Sequence, residues 1–378
     1  MAEAEINLSQ TETLQEAPEF ETFWQMVWRR FRKHRLAVWS SVGLIILILL
    51  AFGVPLIAPL MGGDPDYIDM RLKYGDISMA HPFGNDELGR DVFLRLMYGG
   101  RISLTVGLLS ALAASLIGTT VGVIAGYFGG IVDAALMRFT DAMLSIPVLP
   151  LMIVFAALDL REIVKGQGIW VGLAVLMGFA FLLVTLGTWM ADRTAPASTF
   201  ILSGLIAALA GGVPMAGLLL FLGTDVGGGG TTASVVQLII IVVLFSWMTV
   251  ARLVRAAALQ IRELDFVAAA KAFGAKPQEI IFRHIVPNAM APIIVAATLQ
   301  VGSIILYESV LSFLGLGVKP PTASWGNMLK NALDYMTQAP LLAFWPGLFI
   351  LIAVVCFNFF GDGLRDALDP HHVNQSED

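Results

Sequence analysis

The chain has 378 residues, of which 57% are hydrophobic and only 14% charged, with a formal net charge of −6; its mean hydropathy is +0.78. Soluble domains carry about 25% charged residues, so this composition excludes a soluble globular protein and makes the membrane the principal solvent. Uncharged runs long enough to cross a bilayer recur through most of the length, which points to one polytopic domain and to no nucleic-acid partner.

In chain order, residues 1–35 read as an acidic tail followed by a basic anchor. Six acids and no basic residue lie between Met1 and Phe23, and Arg29, Arg30, Arg32, Lys33 and Arg35 follow at once. Segregated charge of this kind reads as a solvated tail leading into a cytoplasmic anchor. The first 35 residues hold no apolar core, so no cleavable signal is expected and the first span, 36–63, acts as its own insertion signal. Cys356, the single cysteine, stands in an apolar run and reads as a packing residue.

Uncharged windows lie at 36–63, 102–132, 142–158, 166–191, 194–224, 226–251, 284–307 and 335–361, which predicts eight spans. The window 142–158 is short and must borrow Leu136 to Asp141; its Pro147 and Pro150 are tolerable where neighbouring helices supply backbone partners. The positive-inside rule puts the basic anchor in the cytoplasm. Alternation then places Asp192 to Ser198, Arg252 to His284 and the tail 362–378 there too, with both termini inside an inner (cytoplasmic) membrane of bacterial type. The external segment 64–101 strains this rule with Arg71, Lys73, Arg90, Arg95 and Arg101, and an interfacial helix is expected near Asp91 to Tyr98. Within 102–130 the small residues Gly107, Ser110, Ala111, Gly118, Gly122 and Gly126 fit close helix packing rather than a ligand site. Gly62 to Pro82 reads as a polar loop, and Gly223 to Thr232 as a glycine-rich connector.

Catalytic signatures are missing from the sequence. No Gly-Lys dipeptide occurs, so no phosphate-cradling loop is present; the five histidines include no His-Glu-x-x-His helix, and no Gly-x-Ser-x-Gly elbow appears. Neither catalysis, a metal nor a cofactor is expected on this chain, and any energy input must come from another subunit.

The polar stretch from Arg252 to Asn288 is far longer than a turn. It reads as one helix from Arg262 to Phe273 carrying Ala268, Ala269 and Ala270, a break at Gly274, and a second helix from Glu279 to Val286 that ends at Pro287. Two short helices with small side chains between charged ones make a compact knob on which a partner can dock closely.

The run Asp265-Phe-Val-Ala-Ala-Ala-Lys-Ala-Phe-Gly274-Ala, followed by Ile281-Phe-Arg-His-Ile-Val-Pro287-Asn, resembles the EAA loop of ABC importer permeases. In that family the loop inserts into a groove on the ATP-binding subunit. The resemblance carries over to Ala269, Ala270, Gly274, Ile285 and Pro287, while Ala268 stands where the family has a glutamate, so no salt bridge is expected from that position. A coupling loop over 255–288 also takes in Asp265, Lys271, Ala275 and Arg283.

Two further stretches, Phe83-Gly-Asn-Asp-Glu-Leu-Gly-Arg-Asp91 with Tyr98-Gly-Gly-Arg-Ile-Ser103, and Glu308-Ser-Val-Leu-Ser-Phe-Leu-Gly-Leu-Gly317 with Pro320-Pro-Thr-Ala-Ser-Trp-Gly-Asn-Met328, are similar to the peptide and nickel branch of that family. The resemblance implies an all-α polytopic bundle of the type I importer permease kind, in which 102–361 is the permease domain and the pair of windows in 166–224 is an inserted peripheral hairpin outside the translocation path. It implies half of a pathway for dipeptides or oligopeptides, with nickel or another small solute as the alternative within the class. A secondary transporter or a membrane scaffold is the alternative outside it. The implied partners are a second homologous permease, two ATPase subunits that bind ATP and Mg, and a periplasmic or extracellular solute-binding protein. Glu308 closes an apolar run and reads either as a helix-terminal carboxylate held by backbone or by a nearby arginine or, with Ser312, as a pathway or gate residue near the external mouth. Asp141 reads as a partner of Arg138 one helical turn away.

Overall fold

A computed structural model describes residues 22–61, 64–157 and 230–369. The described residues are almost wholly helical: α1 (Phe23–Lys33), α2 (Arg35–Ile57), α3 (Val92–Phe128), α4 (Gly130–Ser145), α5 (Val148–Ala157), α6 (Gly230–Arg262) and α7 (Asp265–Ala272) come first. Then follow α8 (Pro277–Ile280), a π-turn over Ile281–Ile285, α9 (Val286–Asn288), α10 (Met290–Phe313), α11 (Trp325–Leu333) and α12 (Leu341–Leu368). Five of these helices are long and apolar enough to cross a membrane, and the bent pair α4–α5, with 81° between its halves, brings the count to six if it forms one span. Pro147 stands in that bend and disfavours helical backbone at Ile146 before it. The windows 166–191 and 194–224 lie outside the described residues.

Helix α3 is the central rod. Its 37 residues span about 55 Å, against roughly 30 Å of hydrocarbon, so it projects from the membrane. The interfacial helix expected at Asp91 to Tyr98 is instead its first two turns. Val92, Leu94, Leu96 and Met97 are buried there, and the Asp91 carboxylate caps the helix by accepting from the Leu94 N–H at 2.8 Å. Sequence periodicity alone could not separate a short surface helix from the start of a long one.

Gly118, Gly122 and Gly126 lie one turn apart along α3 and meet α6 backbone to backbone. A Cβ on Gly118 would sit 2.6 Å from the Trp247 carbonyl oxygen, one on Gly122 2.5 Å from that of Ala251, and one on Gly126 2.9 Å from that of Arg255. No side chain fits there. In lipid the hydrophobic effect does not drive helices together, so such close approach is the main source of attraction. The Arg262 guanidinium completes the seam, donating to the carbonyls of Gly126 at 3.1 Å and Tyr127 at 3.3 Å at the C-terminal end of α3.

The two ends of the bundle differ. At one, the segment 64–91 and α11 form a cap; at the other, α7 to α9 form a knob, and α1 and the end of α12 lie at that same end, tied by the Arg30 guanidinium donating to the Asp369 carbonyl at 2.9 Å. Cys356 is half-buried in α12 and would lie 3.0 Å from a Cβ on Gly43, which bears out its packing role.

Gly122→Val should destabilise the bundle by about 1–3 kcal/mol or more, the usual cost of overpacking. The checking measurement is the thermal unfolding midpoint of purified protein, with Leu116→Val on the exposed face as a control that shifts it little.

Candidate functional site

The knob is built by apolar anchoring on one side and exposure on the other. Val267, Ile280 and Ile285 are fully buried and pack with Val254, Ala258 and Ile261 of α6, with Ala270 and Ala275 filling in beside them. Gly274 turns the chain with φ +81°, in the left-handed region that glycine adopts without steric cost, and has nothing within 4 Å of where a Cβ would be. Of the residues picked out from sequence, Ile285, Ala270 and Ala275 therefore face the bundle. Asp265, Ala269, Lys271, Gly274, Arg283 and Pro287 are exposed.

Details of the two helices differ from expectation. The first begins at Asp265 rather than Arg262, because α6 runs on to Arg262 and breaks over two residues. The second does not end at Pro287. The π-turn at Ile281–Ile285 admits Pro287 at the start of α9, and the helical path continues almost unbroken into α10. The exposed aromatics Phe273 (91% exposed) and Phe282 (71%) were missed, although an aromatic beside the turn glycine of a polar loop is a readable signal. The small residues Ala268, Ala269 and Ala272 are exposed as well, so the knob presents apolar side chains at its surface.

Ion pairs tie the knob end of α6 to α4. The Arg255 guanidinium grips both Asp133 oxygens, and Arg252 pairs with Asp141, donating from Nε at 3.0 Å. Asp141 thus pairs across helices and not with Arg138 within its own. Spacing along one helix could not reveal a partner over 100 residues away. Lys271 places its ammonium 5.8 Å from the Tyr127 ring at the end of α3, within the range of a cation–π contact.

Glu308 is fully buried near the cap end of α10, not at an open mouth. One carboxylate oxygen accepts from the Ser103 hydroxyl of α3 and the other from the Ser312 hydroxyl, both at 2.7 Å. Each hydroxyl in turn accepts from a backbone N–H: Ser103 from Trp325 at 3.3 Å and Ser312 from Val318 at 3.2 Å. Two relays of N–H to O–H to carboxylate thereby hold the loop 314–324 and the N-terminus of α11 against α3. Trp325 seats over Gly100, where a Cβ would lie 2.8 Å from the ring, and its indole N–H donates to the Leu96 carbonyl at 3.0 Å. The groups that hold the Glu308 carboxylate are serine hydroxyls, where the sequence suggested backbone or an arginine.

The cap is an ionic structure. Arg90 donates from Nε to Asp86 at 2.7 Å and from Nη2 to Glu87 at 2.9 Å, Arg95 pairs with Asp66 and Asp86, and His81 sits 2.7 Å from the Asp91 carboxylate. Two of the arginines that strained the positive-inside rule, Arg90 and Arg95, are thus neutralised locally, and Arg95 is buried. Burial, with Asp86 alongside, pushes the Glu87 carboxyl above its ordinary range. Between α3 and α10 an apolar groove of about 820 Å³ runs to the knob, flanked by Leu112, Ile294 and Phe282, with the Ser115 and Thr119 hydroxyls in its wall making no hydrogen bond among the described residues.

Residues 118–373 match the family model described as the inner membrane component of binding-protein-dependent transport systems, and residues 22–72 match the N-terminal transmembrane domain of oligopeptide transport permease C. The chain belongs to this permease family. It is 33% identical to the glutathione transport system permease protein GsiD of Pectobacterium atrosepticum, with 92% of this chain and 91% of that protein covered. It is 34% identical to the dipeptide transport system permease protein DppC of Alkalihalophilus pseudofirmus (92% and 90%) and 32% identical to the oligopeptide transport system permease protein OppC of Escherichia coli (93% and 92%). This permease is a multi-pass membrane protein and a transport subunit.

Two measurements check the cap. Arg95→Met removes the cation of Asp66 while Asp86 keeps Arg90, and with the buried arginine gone from the cap, limited proteolysis should cut the segment 64–91 readily. Glu87→Gln tests the raised carboxyl. A group whose folded pKa is raised costs stability when ionised, and that cost vanishes as pH falls through the ordinary carboxylate range. The variant should therefore unfold at a higher temperature than the parent at pH 7 and lose the advantage by about pH 4.

Proposed function

We propose that this permease is one of two membrane subunits of an ATP-driven importer of dipeptides or oligopeptides, and that the knob from Asp265 to Asn288 is its contact with an ATPase subunit. The observation that carries the reading is the knob itself: an apolar, exposed surface fixed by buried residues to α6 and α10. The family assignment supports the transport role, and relatives named for glutathione, dipeptides and oligopeptides favour peptides over nickel. That assignment also removes the ground from a secondary transporter or a scaffold.

In this reading Asp265, Ala269, Lys271, Gly274, Arg283 and Pro287 face the ATPase, and Ala270, Ala275 and Ile285 set the knob on the bundle. ATP and Mg bind to two separate ATPase subunits, whose closure pushes on the knob. The ladder of Arg255–Asp133 and Arg252–Asp141 makes α4 move with α6. The push thereby shifts the population between inward-open and outward-open states. A second, homologous permease supplies the other half of the pathway, and the apolar groove between α3 and α10, whose two hydroxyls make no hydrogen bond among the described residues, is suited to face it. A periplasmic or extracellular binding protein delivers substrate at the cap, whose latch holds Glu308 and Ser312. The knob and both termini are cytoplasmic in a bacterial inner membrane, in line with the basic anchor at the knob end.

Gly274→Glu should abolish peptide uptake while leaving the amount of permease in the membrane unchanged, whereas Gly274→Asn, which tolerates a positive φ, should keep most of it. Phe273→Ser with Phe282→Ser should reduce the ATPase that co-purifies with the tagged permease by at least tenfold. Full ATPase recovery with both variants would assign docking to another surface.

A further inference from the structure

Helix α1 is joined to the membrane-spanning α2 by the single residue His34. Its position is therefore set: it lies within a few ångströms of where α2 enters the bilayer. Trp24, Val27, Trp28 and Phe31, spaced i, i+3, i+4 and i+7, share one stripe of the helix. The stripe is divided lengthwise. Val27 and Phe31 are each only 6% exposed and pack against α12, where Phe31 meets the Phe360 ring edge-on at 5.6 Å. Trp24 and Trp28 remain 66% and 61% exposed, and Trp39, at the entry of α2, is 73% exposed.

Basic residues follow the tryptophans at the C-terminal end of α1 and the start of α2. Arg30 is engaged with the Asp369 carbonyl and His34 approaches Asp366 at 3.7 Å, so these two bind α1 to the end of α12. Arg32, Lys33 and Arg35 are exposed and make no ion pair among the described residues. Tryptophan prefers the headgroup level of a bilayer, where its ring is buried and its N–H stays wet. Three cations where α1 passes into a membrane-spanning helix have one abundant class of counter-ion within reach, the phosphate of an anionic lipid.

We infer that α1 is a docking element for anionic phospholipid, in which Trp24, Trp28 and Trp39 enter the headgroup layer and Arg32, Lys33 and Arg35 bind its phosphates. The inference needs only the membrane-spanning fold and stands apart from the substrate and the ATPase assigned above. It also gives the lipid a mechanical address, because α1 is pinned to the end of α12, so headgroup binding steadies that helix at the knob end.

The test uses the full chain with whatever subunits co-purify, in mild detergent, titrated with phosphatidylglycerol or phosphatidylcholine and read by native mass spectrometry as lipids retained. The parent should retain phosphatidylglycerol over phosphatidylcholine by the order of tenfold, from roughly fivefold per basic residue partly offset by screening. Arg32→Gln, Lys33→Gln and Arg35→Gln together should bring the two lipids near parity, while Arg32→Lys with Arg35→Lys should keep the preference. Should the triple variant fail to insert, the parent's preference must still fall at high ionic strength, with phosphatidylcholine retention unchanged. Equal retention of both lipids by the parent, or a preference that survives in the triple variant or in high salt, overturns the inference. So does a carbodiimide cross-link between Lys33 and an acid of residues 3–21 that persists in phosphatidylglycerol, which would assign the basic face to the chain's own tail.

Discussion

Everything in this bundle depends on how closely α3 and α6 approach. Three glycines one turn apart let the two backbones touch, and the attraction is the dispersion of many atoms in contact, since lipid supplies no hydrophobic drive between helices. Around this pair α10 adds a third helix, with Gly107 of α3 giving room to Ile305. The spans farther out, α2 and α12, keep large side chains such as Leu49, Leu56 and Leu351 exposed, which is the composition expected of surfaces solvated by acyl chains.

The two ends are finished with different physics. At the cap, charges do the work: two arginines, four carboxylates and a histidine lock the segment 64–91, while a serine-caged carboxylate latches α11. Such contacts depend on direction and fix one geometry. At the knob, apolar side chains anchor the short helices and leave Phe273 and Phe282 exposed on the outer surface.

Much of this was readable from the residues. The spans came from uncharged windows, close packing from the small residues of 102–130, and the helix–glycine–helix knob from the break at Gly274. The errors share a cause. Asp141 with Arg252, Glu308 with Ser103, and Arg95 with Asp66 are pairings across distant segments, and one-dimensional spacing carries no information on which helices become neighbours. Likewise, apolar periodicity does not mark where a helix leaves the hydrocarbon, so the start of α3 was mistaken for a separate surface helix. The membrane-spanning half of the fold was thus more legible than the polar contacts that orient it.

The length of α3 has a geometric consequence. It is one unbroken helix from the ionic cap to the end that Lys271 and Arg262 touch, and its closest contact with α6 lies toward the knob, around Gly122. From there to Arg95 is about 40 Å of rigid helix. The seam is therefore a fulcrum with unequal arms: a tilt of about 10° displaces the cap end by about 7 Å but the knob end by only about 1–2 Å. Small strokes at one face of the membrane are magnified at the other by the position of three glycines.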